Sequence, residues 1–194
     1  MAKPEVRKLP KPERRTQLLD TARDILRECG ADALTLGHLA ERAGVSKPIA
    51  YEHFGTREGL LIALSEEIEA RHVGKLKAGL EKAPPTLPAI ADVISSAYIG
   101  CALESGPEWL AMSGALRGNA QMDAVQQTLA DDYVAIIAAA LARFSTLPPD
   151  DLRLRCVGLA GAAETMAREL IRGRIGENTA SANLAALIMH GIAA

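Results

Sequence analysis

Residues 35–61 read TLGHLAERAGVSKPIAYEHFGTREGLL, and their order of caps, apolar residues and turn residues spells two short helices about a tight turn, then the start of a third. Thr35 is a capping residue ahead of Leu36, Leu39, Ala40 and Ala43, which recur at helical spacing. Gly44 supplies the left-handed residue that stops this helix. Ser46 restarts the chain as an N-cap, with Pro48 in the first turn, where a missing N–H breaks no intrahelical bond. The second helix is then Lys47 to about Phe54. Ala50 and Phe54, four apart, face inward and leave Lys47, Ile49, Tyr51 and His53 on the outer surface. Two helices around such a turn are the pattern of a helix-turn-helix, whose outer face suits a phosphate-lined groove.

The same residues resemble the TetR-type transcriptional regulators. Their pattern is a Thr, a short helix, AGVS, a helix ending Y-x-x-F, then S-K-E-x-L; here it reads Thr35, Ala43-Gly44-Val45-Ser46, Tyr51 and Phe54, then Thr56-Arg57-Glu58 and Leu60. Thr56-Arg57 replaces Ser-Lys, which keeps a cap and a cation. The resemblance covers about a third of the chain by motif, and it implies an N-terminal three-helix DNA-binding domain, a helical ligand-binding and dimerisation domain, and a homodimer on a double-stranded DNA operator. The DNA-contacting set is expected to be Thr35, Gly37, His38, Ser46, Lys47, Pro48, Ile49, Tyr51, His53 and Arg57. Lys47 suits guanine O6 and N7 or a phosphate, Ile49 a thymine methyl, and Tyr51 and His53 the sugar-phosphate backbone. Thr35 and Arg57, at helix starts, suit phosphates.

Composition agrees. The chain has 194 residues, 48% hydrophobic and 24% charged, with a net charge of −2, the mix of a globular protein of one or two domains. Residues 1–57 carry eleven Lys and Arg against eight Asp and Glu, whereas residues 58–194 carry eleven against sixteen, so the basic excess sits with the motif. It is steepest in the first fifteen residues. Pro4, Pro10 and Pro12 predict a non-helical, flexible basic arm over residues 1–12.

Onward the pattern is helical throughout, and an all-α chain of about nine helices is expected. A first helix spans about Glu13–Cys29, stopped by Gly30, and a fourth begins at Thr56, its apolar stripe slipping phase near Gly74. Residues 83–88, AlaProProThrLeuPro, break the chain most clearly. Later helices are expected over about 87–104, 108–116, 122–145, 150–174 and 180–192, with Gly106-Pro107 separating the first two. Domain bounds follow: a basic arm (1–12), a helix-turn-helix domain (13–57), a connecting helix (58–82) and a ligand-binding and dimerisation domain (83–194).

The chain holds six aromatic residues. Tyr98, Trp109, Tyr133 and Phe144, with Cys101, Met112, Met122 and Met166, form a candidate lining for a cavity that takes a small, apolar ligand. Near the C-terminus, Leu154, Gly158, Gly161 and Ala162 share one helix, and Leu184, Leu187 and Ile188 the next; small residues let helix axes approach closely. The resemblance implies that these two helices from each subunit make a four-helix dimer bundle.

Other chemistries fit less well. Glu69-x-x-His72 has the spacing of a helical di-metal ligand pair but occurs once, so a solvated helix end is expected there and no metal, cofactor or catalytic residue is assigned. The cysteines Cys29, Cys101 and Cys156 lie far apart and odd in number, which points to reduced, inert thiols rather than a redox sensor. With no signal-peptide pattern and no run of about 18 apolar residues, a cytoplasmic protein without a membrane span is expected.

Overall fold

In a computed structural model, residues 9–115 and 120–192 are described, apart from the side chains of residues 107, 109–115, 121 and 122. They form eight α-helices: α1 (Lys11–Cys29), α2 (Leu36–Arg42), α3 (Lys47–Phe54), α4 (Arg57–Lys82), α5 (Leu87–Ala115), α6 (Ala120–Leu141), α7 (Pro149–Ile171) and α8 (Glu177–Gly191). Two short 3-10 turns, Ala31–Ala33 and Ala142–Phe144, complete the regular structure, and no strand occurs among the described residues.

The count of eight rather than nine has one cause. The backbone stays helical through Gly106-Pro107, where a break was expected, so two expected helices are one. A proline inside a helix removes a single N–H and strains one turn, which a 29-residue helix absorbs. At the other end, α1 begins at Lys11 and not after Pro12. Pro12 lies in the first turn, where its absent N–H has no partner to lose. The expected arm is therefore helical at its last two residues, and residues 1–8 lie outside the described part.

The chain divides into two compact units. The first comprises the chain up to Glu67 together with 107–125; the second comprises Ile68–Gly106 and 126 onward. In the first, Leu18, Leu19, Ala22, Ile25 and Leu26 form the buried stripe of α1, and Leu36, Leu39, Ala40, Ala50, Phe54, Leu60, Leu61 and Leu64 complete the core. Fully burying one such leucine contributes about 1.5–3 kcal/mol. Glu108, fully buried, pairs there with Arg27 of α1, and Glu67 pairs with Arg23 at 2.7 Å.

The second unit's core draws on Leu76, Ile90, Ile94, Ile99, Tyr133, Ile137, Leu141, Leu152, Cys156, Leu184 and Ile188. Helices α4 and α5 come close at Gly79, where an added Cβ would lie 2.8 Å from Val93 Cγ1. One expectation needs correcting here. Leu87–Gly106, at a mean hydropathy of 1.3, is long and apolar enough to cross a membrane by length and composition; Ile90, Ala91, Ile94 and Ile99 on it are spent in the core.

Candidate nucleic-acid interface

The turn between α2 and α3 is built by backbone hydrogen bonds. Val45 N–H donates to Ala40 O at 2.9 Å and Gly44 N–H to Glu41 O at 3.1 Å, the paired bonds of a Schellman stop. Gly44 has φ +67°, a conformation that strains any residue with a Cβ. Thr35 caps α2, its hydroxyl accepting from His38 N–H at 3.1 Å. His38 Nδ1 lies 2.9 Å from Ala33 O, so the proton sits on Nδ1. Ser46 occupies the N-cap position of α3 with no side-chain capping bond, and its residue is exposed.

Helix α3 presents Lys47, Pro48, Tyr51 and Glu52 to solvent and half-buries Ile49 and His53, while Ala50 and Phe54 face the core. Tyr51 is 54% exposed, the most exposed aromatic ring among the described residues for which a large exposed surface is seen. The Lys47 side chain lies across Gly37: a Cβ built there would be 3.7 Å from Lys47 Cε and 3.9 Å from Thr35 Oγ1. An added Cβ would be in ordinary contact with the lysine, and Thr35, Gly37 and Lys47 gather at one end of the helix pair.

Three side chains from α1, none of them expected at the site, brace the pair, two on α3 and one at the end of α2. Lys11 pairs with Glu52 at 3.1 Å. Arg15 donates to His53 O at 3.3 Å and sets its guanidinium 5.1 Å from the Phe54 ring centre, a cation near a helix C-terminus. Gln17 reaches Ala43 O at 3.4 Å. Burial holds the His53 imidazole below its ordinary pKa and therefore neutral at pH 7. Basic residues in the first turns of α1 were the available signal, though their distance in sequence from α3 hid the partners.

Arg57 is placed differently from the expectation of a phosphate ligand. Its Nε donates to Leu34 O at 2.9 Å and its NH2 group to Ala31 O at 2.8 Å. The guanidinium is thereby committed to holding the α1–α2 connection, and Thr56 caps α4 by accepting from Gly59 N–H at 3.0 Å.

In the second unit, Tyr98 and Tyr133 line a small cavity of about 10 Å³ together with Ile94, Ile137, Leu141, Leu159, Ala160, Ala163, Leu184 and Ile188. Cys101 is buried beside this region, and Phe144 and Met166 pack against the core without lining the cavity. Trp109, Met112 and Met122 have side chains outside the described residues. Leu184 and Ile188, expected at a dimer interface, are buried in their own unit's core, because the apolar positions of α8 serve that core first. Leu154 (69% exposed), Val157 and Leu187 remain uncovered, with Gly158 and Gly161 exposed among them and Ala162 half-buried. A Cβ at Gly158 or Gly161 would meet nothing within 4 Å, so nothing within the chain requires glycine there.

The expected solvated helix end at Glu69 and His72 is also corrected, since His72 is buried against Tyr98 and Tyr133. The spacing shows why it was missed: Leu64, Ile68, His72 and Leu76 recur every four residues, so the apparent slip in the stripe is a histidine at an inward position. Among the described residues no group of three or more potential metal ligands occurs.

A cap-turn-cap arrangement with an exposed basic and aromatic face defines an all-α helix-turn-helix protein. Residues 18–64 match the family profile of bacterial regulatory proteins, tetR family. The chain is 40% identical over 76 residues to the HTH-type transcriptional activator FasR of Mycolicibacterium smegmatis, covering 39% of this chain and 33% of that one. It is 41% identical over 58 residues to the tetracycline repressor protein class D of Escherichia coli, covering 30% and 27%. These alignments span a third or less of the relatives' length. The fold matches that of a transcriptional regulator from Pseudomonas aeruginosa PAO1 with a TM-score of 0.82 at 17% identity, over 95% of this chain and 94% of that one.

Proposed function

We propose that the protein is a sequence-specific, homodimeric DNA-binding repressor that releases a near-palindromic operator when a small, largely apolar effector enters the second unit. The observation that carries this is the outward face of α3, where Lys47, Pro48 and Tyr51 stand exposed beside Thr35 while Ala50 and Phe54 anchor the helix. Lys47 and Ile49 read base edges, whereas Ser46, Tyr51, His53, Thr35, Gly37 and His38 meet the backbone. Arg57 positions the loop that carries Thr35 and does not itself bind phosphate. In this reading the helix-turn-helix domain spans 13–57, residues 58–82 connect, and 83–194 bind effector and dimerise. The protein acts in the cytoplasm, with its DNA.

The uncovered face of α7 and α8, with Leu154, Val157, Gly158, Gly161 and Leu187, supplies the surface for a second copy. A two-fold dimer offers two recognition helices about 34–36 Å apart or moderately farther. Sequencing of genomic fragments retained by the purified protein tests this directly. A near-palindrome is expected, with retention that weakens steeply as salt rises; retention without sequence preference at low salt would contradict it. Loss of the gene should raise transcription beside the retained site, and a fall there would make the protein an activator.

A further inference from the structure

Among the described residues of the second unit, three buried polar side-chain atoms have no hydrogen-bond partner: Glu69 Oε1, His72 Nε2 and Tyr133 Oη. They lie together. Glu69 and His72 sit one turn apart on α4, with Glu69 Oε2 3.8 Å from His72 Nδ1. The His72 ring is centred 5.1 Å from Tyr98 on α5 and 5.0 Å from Tyr133 on α6, and the two tyrosines are 5.7 Å apart. His72 is 7% and Tyr133 5% exposed, so bulk solvent reaches little of either ring. Leaving such groups unpaired inside a fold is costly, and a protein tolerates it where something else is to meet them.

The two tyrosines also border the small apolar cavity. It is far smaller than the roughly 300 Å³ of a ligand site, and its walls come from four helices, including the small residues Ala160 and Ala163 of α7. A ligand entering by parting those helices would have apolar contacts along its body and the unpaired polar atoms at one end.

The sign of charge at that end narrows its head group. Burial raises the pKa of the Tyr98 phenol, and Glu164 and Glu69 raise it further against the opposing Arg168. Arg168 is itself paired with Glu164 one turn away on α7. The cluster thus faces two carboxylates and one guanidinium, a field that repels an anion. The long Nδ1 contact to Glu69 favours the proton on that nitrogen and leaves Nε2 as an acceptor. Two unmet acceptors, Glu69 Oε1 and His72 Nε2, call for a donor with more than one hydrogen. An ammonium has three, and the tyrosine faces add cation–π attraction.

We propose that Glu69, His72, Tyr98 and Tyr133 form the head-group site of the effector, and that it takes a monocationic amine carried on an apolar body. This rests on the effector reading above and specifies its chemistry. Octylamine, 1-octanol and octanoate share one chain and differ only in head group, so calorimetric titration of each into the full chain separates the alternatives. Octylamine should bind at least tenfold more tightly than octanol, and octanoate more weakly than either. Glu69→Gln, nearly isosteric, should weaken octylamine at least tenfold and leave octanol within twofold. Tyr133→Phe should weaken octylamine several-fold while the circular dichroism of both variants stays that of the wild type. No octylamine binding, equal binding of octanoate, or indifference to Glu69→Gln would overturn the proposal. Release of the retained DNA by octanol or octanoate but not by octylamine would overturn it too, while leaving the effector reading in place. Glu69-dependent octylamine binding that leaves DNA affinity unchanged would uphold the head-group site and overturn the effector reading instead.

Discussion

The two units of this chain keep their chemistry on opposite sides of their surfaces. In the helix-turn-helix unit the groups of interest point outward and the backbone that aims them is fixed by caps, a Schellman stop and Arg57. In the second unit α7 exposes Leu154, Val157, Gly158 and Gly161 alongside charged residues such as Arg153 and Arg155, and the distinctive polar groups are shut inside with almost no free volume. A rigid outer face suits a partner of fixed geometry such as duplex DNA. A closed core with unpaired polar atoms suits a small partner that must open it. The difference teaches that one fold can be specified locally where it reads and only by packing where it responds.

Substitutions that touch one unit alone sharpen this contrast. The largest effect is expected from Gly158→Glu. The position is exposed and open within the chain, so the protomer should fold normally. A charge trapped unpaired in a helix–helix dimer contact costs about 3–5 kcal/mol. Sedimentation should show a dimer at micromolar concentration for the wild type and a monomer for the variant, with operator affinity falling in parallel. A variant that still dimerises would place the interface elsewhere.

Arg57→Ala should come next, and its effect belongs to the first unit. Two hydrogen bonds from a charged, half-buried donor to main-chain carbonyls are lost, for about 3 kcal/mol in all. The loss should appear in denaturant unfolding without DNA. An Arg57→Ala protein of unchanged stability whose DNA binding is weakened equally for all sequences would restore the guanidinium to the phosphate backbone.

The smallest effect is expected from thiol chemistry. Burial lifts the Cys156 thiol to about 11 and raises that of Cys101 as well, so both stay protonated near neutral pH, while Cys29 is exposed. Iodoacetamide should label Cys29 alone in the folded protein and leave DNA binding unchanged, as mass mapping and a binding assay would show. Loss of binding on labelling would revive a thiol-sensing role.

How much could be read beforehand follows the same division. Helix α3 was bounded correctly at Lys47–Phe54 because Ser46, Pro48 and Phe54 are local signals. The break over residues 83–86 was equally plain. Gly106-Pro107 misled, since a proline ends a helix only where neighbouring turns do not carry it through. Arg57 misled because its acceptors lie 23 and 26 residues away. Leu184 and Ile188 were assigned to the outer face because an apolar stripe on α8 does not say which neighbour it meets. His72 passed for a solvated residue because polar side chains are seldom expected at inward helix positions.

The central claim is that the outward face of α3 reads sequence. The most direct test is the affinity of wild type and Ile49→Ala for the selected duplex and for each of its single-base variants. The account predicts that Ile49→Ala abolishes discrimination at one thymine per half-site, by about 1–3 kcal/mol, and leaves the other positions as they were. An Ile49→Ala protein that keeps the wild-type preference at every base, or loses affinity equally for all duplexes, would contradict it.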